Sequence, residues 1–136
     1  MTRLWRLREE RGTAAVEFAL ISTVLFLIVF GIIEFGSTYT KYGVFVNAAR
    51  EGGRRAAVRA TKAEIQAAIT DSAQGYTLSQ TPNISVNGGV AADPPCNSTN
   101  TGATVTVSWN QTFPISIPFL PAWSPSVLIK GAFRCE

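Results

Sequence analysis

Residues 13–35 read TAAVEFALISTVLFLIVFGIIEF, and residues 18–33 within this stretch carry no charged side chain. About 20 apolar residues are enough for a helix to cross a hydrocarbon core roughly 30 Å thick. Apolar residues occupy every side of such a helix rather than one stripe, which disfavours a core helix of a soluble domain. The sequence therefore predicts one transmembrane helix over residues 13–36, because the rest of the chain is too small and too polar to enclose it.

A short basic leader, residues 1–12, precedes the span. Its arginines are Arg3, Arg6, Arg8 and Arg11. Arginine and lysine beside a first helix stay on the cytoplasmic side, so we expect a cytoplasmic N-terminus and an exported C-terminal part in a single-pass inner-membrane protein. Basic residues from Lys41 onward favour the opposite orientation, but they follow the first helix. A removable secretory signal is disfavoured, because the apolar run is long and Gly36-Ser37 is the nearest small-residue candidate site.

Glu17 is a carboxylate near the start of the span. An ionisable side chain in lipid is costly, and it normally has a partner that neutralises it. The alternative is that Glu17 extends to the cytoplasmic interface, since it lies near the membrane edge. Glu34, near the opposite edge, fits an interfacial and solvated role.

Residues 11–19 read RGTAAVEFA, and this motif resembles the processing and membrane signature of the TadE-like family. These proteins are minor pilins or pseudopilins of bacterial tight-adherence pilus systems, a branch of the type IV pilus machinery. The resemblance implies that a prepilin peptidase cuts after Gly12, so that Thr13 becomes the N-terminus and Glu17 its fifth residue. It also implies four kinds of partner: other pilin subunits, the prepilin peptidase, a membrane assembly platform and an assembly ATPase.

Cleavage at this position would bring two opposite charges together. The new α-amino group of Thr13, with a pKa of roughly 7.7 to 8.0, is mostly cationic near neutral pH, and it lies about one helical turn from Glu17. Pairing offsets part of the desolvation cost of both charges. The pair can form within one chain or between neighbours. The resemblance implies the second case, in which Glu17 of an incoming subunit attracts the Thr13 amine of a neighbour.

Beyond the span, residues 37–74 are predicted to form an exported stem helix. Gly52-Gly53 marks a candidate bend or break in this helix, because adjacent glycines weaken a helix interior. Small residues recur along the stem at spacings of three and four: Ala48, Ala49, Gly52, Ala56, Ala60 and Ala63. This small-residue stripe suits either packing between stems in a filament or packing against the chain's own exported domain.

A basic ridge lies on the same stem. Its members are Arg50, Arg54, Arg55, Arg59 and Lys62. Charges at spacings near four usually mark a solvated face, although anionic headgroups, an acidic subunit or DNA would also suit the ridge. No stacking or base-reading groups are interleaved with these residues, so no specific nucleic-acid binding is predicted.

From residue 75 the composition changes to Ser, Thr, Asn, Gly and Pro, which predicts a small β-rich exported domain over residues 75–136. The candidate strands are residues 83–87, 103–113 and 126–133. The predicted fold class is therefore α+β: a long N-terminal transmembrane and stem helix, then a small antiparallel β domain, similar to a type IV pilin.

Cys96 and Cys135 are the two cysteines of the chain. Both fall on the expected exported side, where disulfides persist. A bridge between them would close a loop of about 40 residues and stabilise the domain by roughly 4 kcal/mol. Free thiols or a metal site are the rival interpretation, but the chain has no histidine to complete a typical zinc site.

Residues 113–125 read FPISIPFLPAWSP. Repeated proline imposes extended or irregular backbone, and Phe119, Leu120 and Trp123 make the segment unusually apolar for a loop. It is either a docking patch for another pilin or a substrate surface, or a lid over the domain's own core.

The sequence does not favour an enzyme. Without histidine there is no Ser-His or Cys-His nucleophile pair, and no phosphate-binding loop motif is present. No catalytic residue, cofactor or metal is therefore expected. The interpretation is a minor pilin or pseudopilin that helps to assemble, initiate or cap a pilus. The alternative is a monomeric binding module on an uncleaved membrane anchor.

Overall fold

The structure, a computed structural model, describes residues 3–136, with side chains from residue 12 onward. These residues form two helices and one four-stranded antiparallel sheet. In chain order the elements are α1 (Arg3–Ala57), α2 (Lys62–Ser72), β1 (Asn83–Val86), β2 (Gly89–Val90), β3 (Thr104–Thr112) and β4 (Ser126–Arg134). The predicted α+β class is confirmed. The side chains of the leader arginines lie outside the described residues.

Helix α1 has two halves in different surroundings. It covers 55 residues, which corresponds to about 80 Å at the rise of an α-helix. In its first half the apolar side chains are mostly exposed, with Phe18 at 74% and Ile32 at 68%. Within the described residues it is the one helix long and apolar enough to cross a membrane. From Phe45 onward the helix packs against the domain, so its first half fits a single-pass membrane anchor.

The stem predicted over residues 37–74 consists of two helices. Helix α1 continues through Gly52-Gly53 and ends at Ala57, so the break lies at residues 58–61 and not at the glycine pair. Arg59 in this turn has a left-handed backbone, with φ of 65°. Thr61 then caps α2: its side chain accepts the Glu64 backbone N–H, and its own N–H donates to the Glu64 carboxylate at 2.8 Å. This reciprocal capping box fixes where α2 begins.

The glycine pair provides close packing instead of a break. A Cβ on Gly52 would lie 2.5 Å from Cγ1 of Ile69 in α2, and a Cβ on Gly53 would lie 2.6 Å from Cδ2 of Phe133 in β4. The other fully buried members of the small-residue stripe are Ala48, Ala49 and Ala56. This part of the stripe therefore packs against the chain's own domain, which is one of the two predicted alternatives.

The strand order is β2-β1-β3-β4, and every neighbouring pair is antiparallel. Strands β3 and β4 pair along their full length, from Thr104 opposite Arg134 to Thr112 opposite Ser126. Each of the three predicted strands forms within about one residue of its expected bounds. The short β2 is an addition to the prediction. It follows a two-residue turn at Asn87-Gly88, where both φ values are positive, 49° and 81°, as in a type I′ hairpin.

Strand β3 builds the inner face of the sheet by alternation. Its inward residues are Val105, Val107, Trp109 and Gln111. They face α1, and the ring of Trp109 meets that of Phe45 edge-on at 6.4 Å between centroids. The amide oxygen of Gln111 accepts the indole N–H of Trp109 at 3.1 Å, so this buried polar side chain has a partner. The core thus lies between one face of the sheet and the second half of α1.

Helix and sheet approach closely at Gly131 in β4. A Cβ at this position would overlap the carbonyl group of Ala49 and lie 3.0 Å from the amide nitrogen of Arg50. Because the obstacle is backbone, no side-chain rotation relieves it. Gly131 therefore fixes how near β4 lies to α1.

We expect Gly131→Ala to lower the free energy of unfolding by about 1–3 kcal/mol, the range for overpacking a tight interior. Gly43→Ala is the matched control, because a Cβ there has open space. It should be neutral, or stabilising by up to about 1 kcal/mol, since alanine favours the helix. Thermal unfolding of the full-length protein in detergent, followed by near-UV circular dichroism, measures both. An unchanged melting temperature for Gly131→Ala would contradict the close approach.

Candidate functional site

The predicted processing site and Glu17 lie on the first half of α1. The helix runs through Gly12, Thr13 and Glu17 without interruption, and all three residues are exposed. Thr13 and Glu17 are four positions apart, so they share one helix face about one turn from each other. A charge at Thr13 would therefore lie beside the Glu17 carboxylate, either in the same chain or on a neighbour at the right height.

Two hydroxyl groups in the middle of the span are satisfied within the helix. Ser22 and Thr23 both donate to the backbone oxygen of Ala19, at 3.0 and 2.8 Å. Hydroxyls bonded to the preceding turn do not require water, so they are compatible with apolar surroundings. The ionisable groups of residues 12–35 are thus Glu17 and Glu34, one at each end of the charge-free run.

Glu34 makes a contact that the local sequence does not reveal. Its Oε1 accepts a hydrogen bond from the backbone N–H of Ser116 at 3.2 Å, across 82 positions of the chain. The side chain is half-buried, so it is not only solvated, as expected, but also contacts the β-rich domain. No local pattern predicts this bond, because it depends on where the sheet lies along the helix.

The apolar segment of residues 113–125 divides into two parts. Phe113 and Ile115 are buried, and Ile115 pairs with Trp123 through backbone hydrogen bonds of 2.8 and 3.1 Å. Phe119 at the tip is 90% exposed, and Leu120 and Trp123 are more than half exposed. The first part therefore covers the core as a lid, while the tip is an uncovered apolar surface. The lid interpretation therefore describes the first part, and the docking interpretation of the tip stays a prediction.

Most of the basic ridge is engaged within the domain. Arg54 and Arg55 both pair with the carboxylate of Glu51, at 2.7 and 3.0 Å. Backbone oxygens of distant segments accept hydrogen bonds from Arg59 and Lys62, at 3.3 and 2.7 Å. The bonds of Arg59 and Lys62 connect the turn after α1 and the start of α2 to the rest of the chain. Together with the ion pairs, they leave only part of the ridge for an outside anion.

The arginine contacts change the titration of Glu51. Hydrogen bonds from Arg54, and then from Arg55, lower the pKa of Glu51 from 4.5 to about 2. Because this pKa is lower in the folded chain than in the unfolded chain, the stabilisation is complete above about pH 4.5 and is lost as the pH falls toward about 2. The ion pairs are exposed to solvent, so screening makes their contribution to stability small.

Glu51→Gln should remove this acid-sensitive component. Between about pH 5 and pH 2, the melting temperature of the variant should fall less than that of the wild type, because glutamine keeps the shape but does not titrate. Thermal unfolding of both full-length proteins at the two pH values measures the difference. An equal fall in both proteins would contradict the role of these pairs.

Cys96 and Cys135 form the predicted disulfide, 39 positions apart in the chain. The backbone N–H of Cys135 also donates to Ala103 at 2.8 Å, and that of Glu136 donates to the oxygen of Ala57 at 3.1 Å. The bridge and these bonds hold the chain end beside the last turn of α1. The disulfide therefore closes the domain at the end opposite the exposed half of the helix.

Replacing both cysteines with serine should lower the free energy of unfolding by about 4 kcal/mol, the chain-entropy value for a loop of this length. Denaturant unfolding of the full-length protein in detergent measures the change. Reduction of the wild type should reproduce it, whereas reductant added to the double variant is the control and should have no effect. If the double variant and the wild type had the same free energy of unfolding, the bridge would not constrain the unfolded chain.

Among the described residues, no cluster of three or more histidine, cysteine or carboxylate side chains is arranged to hold a metal ion. What these residues present is a carboxylate on a bare helix and an apolar loop tip. The apolar tip suits a membrane or another protein, whereas the carboxylate suits a cationic partner.

The model of the TadE-like protein family matches residues 12–54. No curated protein and no solved structure matches the chain. The matched segment begins at Gly12, includes Glu17 and ends within the buried half of α1. It confirms the resemblance carried by residues 11–19 to a family associated with tight-adherence pilus systems.

Proposed function

We propose, from the match of residues 12–54 to the TadE-like family, that this chain is a minor pilin or pseudopilin. It would take part in assembling, initiating or capping a tight-adherence pilus. The family is generally structural rather than enzymatic, and we infer a structural role here too. The observation that carries the proposal is the division of α1 into a bare apolar half that begins near Glu17 and a half fixed to a folded domain.

A subunit of this shape suits two environments in turn. In the membrane, the bare half of α1 is a single-pass anchor, with the domain on one side. In a filament, the same apolar side chains would pack against the α1 helices of neighbouring subunits, so that contacts with lipid are exchanged for contacts with protein. The domain packs on the other half of the helix and leaves this surface free for either partner.

Glu17 would fix how far neighbouring subunits are displaced from one another along the filament axis. We infer that a prepilin peptidase cuts after Gly12 and frees an α-amino group on Thr13, which is mostly cationic near neutral pH. A carboxylate without a partner is costly in an apolar environment, and the amine of a neighbouring subunit offsets that cost. The partners in this scheme are other pilin subunits, the peptidase, a membrane assembly platform and its ATPase.

N-terminal sequencing by mass spectrometry tests the processing step. We expect protein from native membranes, and from filaments sheared off the cell surface, to begin at Thr13. A start near Met1 would contradict the proposal and favour an uncleaved anchor for a monomeric binding module. A start beyond Gly36 would mean that the whole span is a discarded secretory signal.

Glu17→Gln tests the assembly step. The variant should be inserted and cleaved normally, but its recovery in sheared filaments should fall on the order of a hundredfold, since losing one partner of a buried ion pair costs about 3 kcal/mol. Glu34→Gln is the matched control, because glutamine keeps an acceptor for Ser116 and this carboxylate has no proposed assembly role. Wild-type recovery of Glu17→Gln in filaments would refute the role of the carboxylate.

A further inference from the structure

We propose that the proline-rich loop, residues 114–125, rests on the same membrane that α1 crosses and inserts Phe119, Leu120 and Trp123 into its interfacial layer. The proposal rests on α1 as a membrane anchor and goes beyond the assembly role. It describes the subunit while it is in the bilayer, where it would have a second point of attachment besides the helix.

The β3–β4 hairpin runs along α1 toward the bare half of the helix. Four contacts follow this direction from the chain end to the loop: Glu136 with Ala57, Gly131 with Ala49, Phe113 with Tyr42, and Ser116 with Glu34. Each step along the hairpin corresponds to a step toward the N-terminus of α1. The loop is therefore the part of the domain that lies nearest to the predicted bilayer.

The hydrogen bond between Ser116 and Glu34 sets the depth of the loop. Glu34 directly follows the charge-free run of residues 18–33. It lies about 25 Å along the helix axis from Glu17, which is close to the roughly 30 Å thickness of a hydrocarbon core. Ser116 is thus held at the edge of the hydrocarbon, and the tip of the loop follows it in the chain. A bond of 3.1 Å from the backbone N–H of Leu120 to the oxygen of Ile117 closes that tip.

The composition of the loop suits an apolar environment. It carries no charged side chain, and four of its residues are prolines, which have no backbone N–H to desolvate. Phe119 is 90% exposed to solvent outside a membrane, and Leu120 and Trp123 are 55% and 57% exposed. Three large exposed apolar side chains within five residues of one loop are unusual for a free surface, and lipid would cover them without requiring another protein.

Aromatic side chains of α1 lie at the same level. A groove of about 460 Å³ between helix and loop is lined by Phe35, Tyr39, Tyr42, Phe113 and Trp123, among others. Tyrosine and tryptophan concentrate at membrane interfaces, where the ring is apolar and the polar tip meets water. The groove therefore continues the interfacial band of α1 onto the loop, and the interfacial part of lipids of the same leaflet is its proposed occupant.

Depth-dependent quenching of Trp123 tests the proposal. The full-length Trp5→Phe protein would be reconstituted in phosphatidylcholine vesicles whose acyl chains carry bromine either near the headgroup or near the chain end. Subtracting the emission of Trp5→Phe/Trp123→Phe removes the signal of Trp109, which is buried in the core. We expect the shallow bromine to quench Trp123 more than the deep one, with blue-shifted emission and protection from aqueous iodide.

The double variant Phe119→Ser/Leu120→Ser should show less quenching of Trp123 by bromine and more quenching of Trp123 by iodide than the parent protein. Val90→Ser is the matched control, because Val90 is fully exposed in β2, outside the β3–β4 hairpin, and it should change neither signal. Iodide quenching of Trp123 in vesicles that is as strong as the quenching of free N-acetyltryptophanamide would overturn the proposal. So would protection that grows with the ratio of protein to lipid, since it would mean contact between copies of the chain.

Alkaline carbonate extraction of the same vesicles separates the two levels of inference. Release of the protein would show that α1 is not an anchor, and both proposals would fail. Retention with Trp123 open to iodide would overturn only the membrane contact of the loop and leave the pilin assignment intact.

Discussion

The close packing of α1 against its own sheet is the constraint on which the rest of the structure depends. Gly131 places β4 against the backbone of Ala49, and Gly52 admits Ile69 of α2 at the next turn of the helix. Interiors are packed densely enough that backbones in such contact cannot slide past each other without overlap. The height of the sheet on the helix is therefore fixed, and so is the position of every contact farther along the β3–β4 hairpin.

The same constraint decides which part of α1 is left for other partners. Because the hairpin ends beside Glu34, the domain covers the helix only beyond that level, and the apolar half that begins near Glu17 stays bare. The segment between the two carboxylates is about 25 Å long, close to the thickness of a hydrocarbon core. The proposed membrane anchor and the proposed exchange into a filament both depend on where the domain ends along the helix.

Local patterns in the sequence predicted the elements but not their contacts. The alternation in β3 and the cysteine pair depend on near neighbours or on composition, and both predictions are confirmed. The apolar run forms the expected long helix, and its crossing of a membrane stays a prediction. Gly52-Gly53 has a low intrinsic helix propensity, yet tertiary packing overrides it. The bond between Ser116 and Glu34 joins residues 82 positions apart, so no local signal contains it. The dual character of residues 113–125 likewise appears only once the hairpin is placed on the helix.

The sheet is fastened to α1 at two distant heights, at Ala57 through Glu136 and at Glu34 through Ser116. These points are about 35 Å apart along the helix axis, and the disulfide at Cys135 closes the chain next to the first of them. A pull along the axis loads all of the intervening contacts in parallel, instead of peeling them apart one at a time. The domain would therefore reinforce this part of α1, because tension on a subunit would be shared between the helix and the sheet.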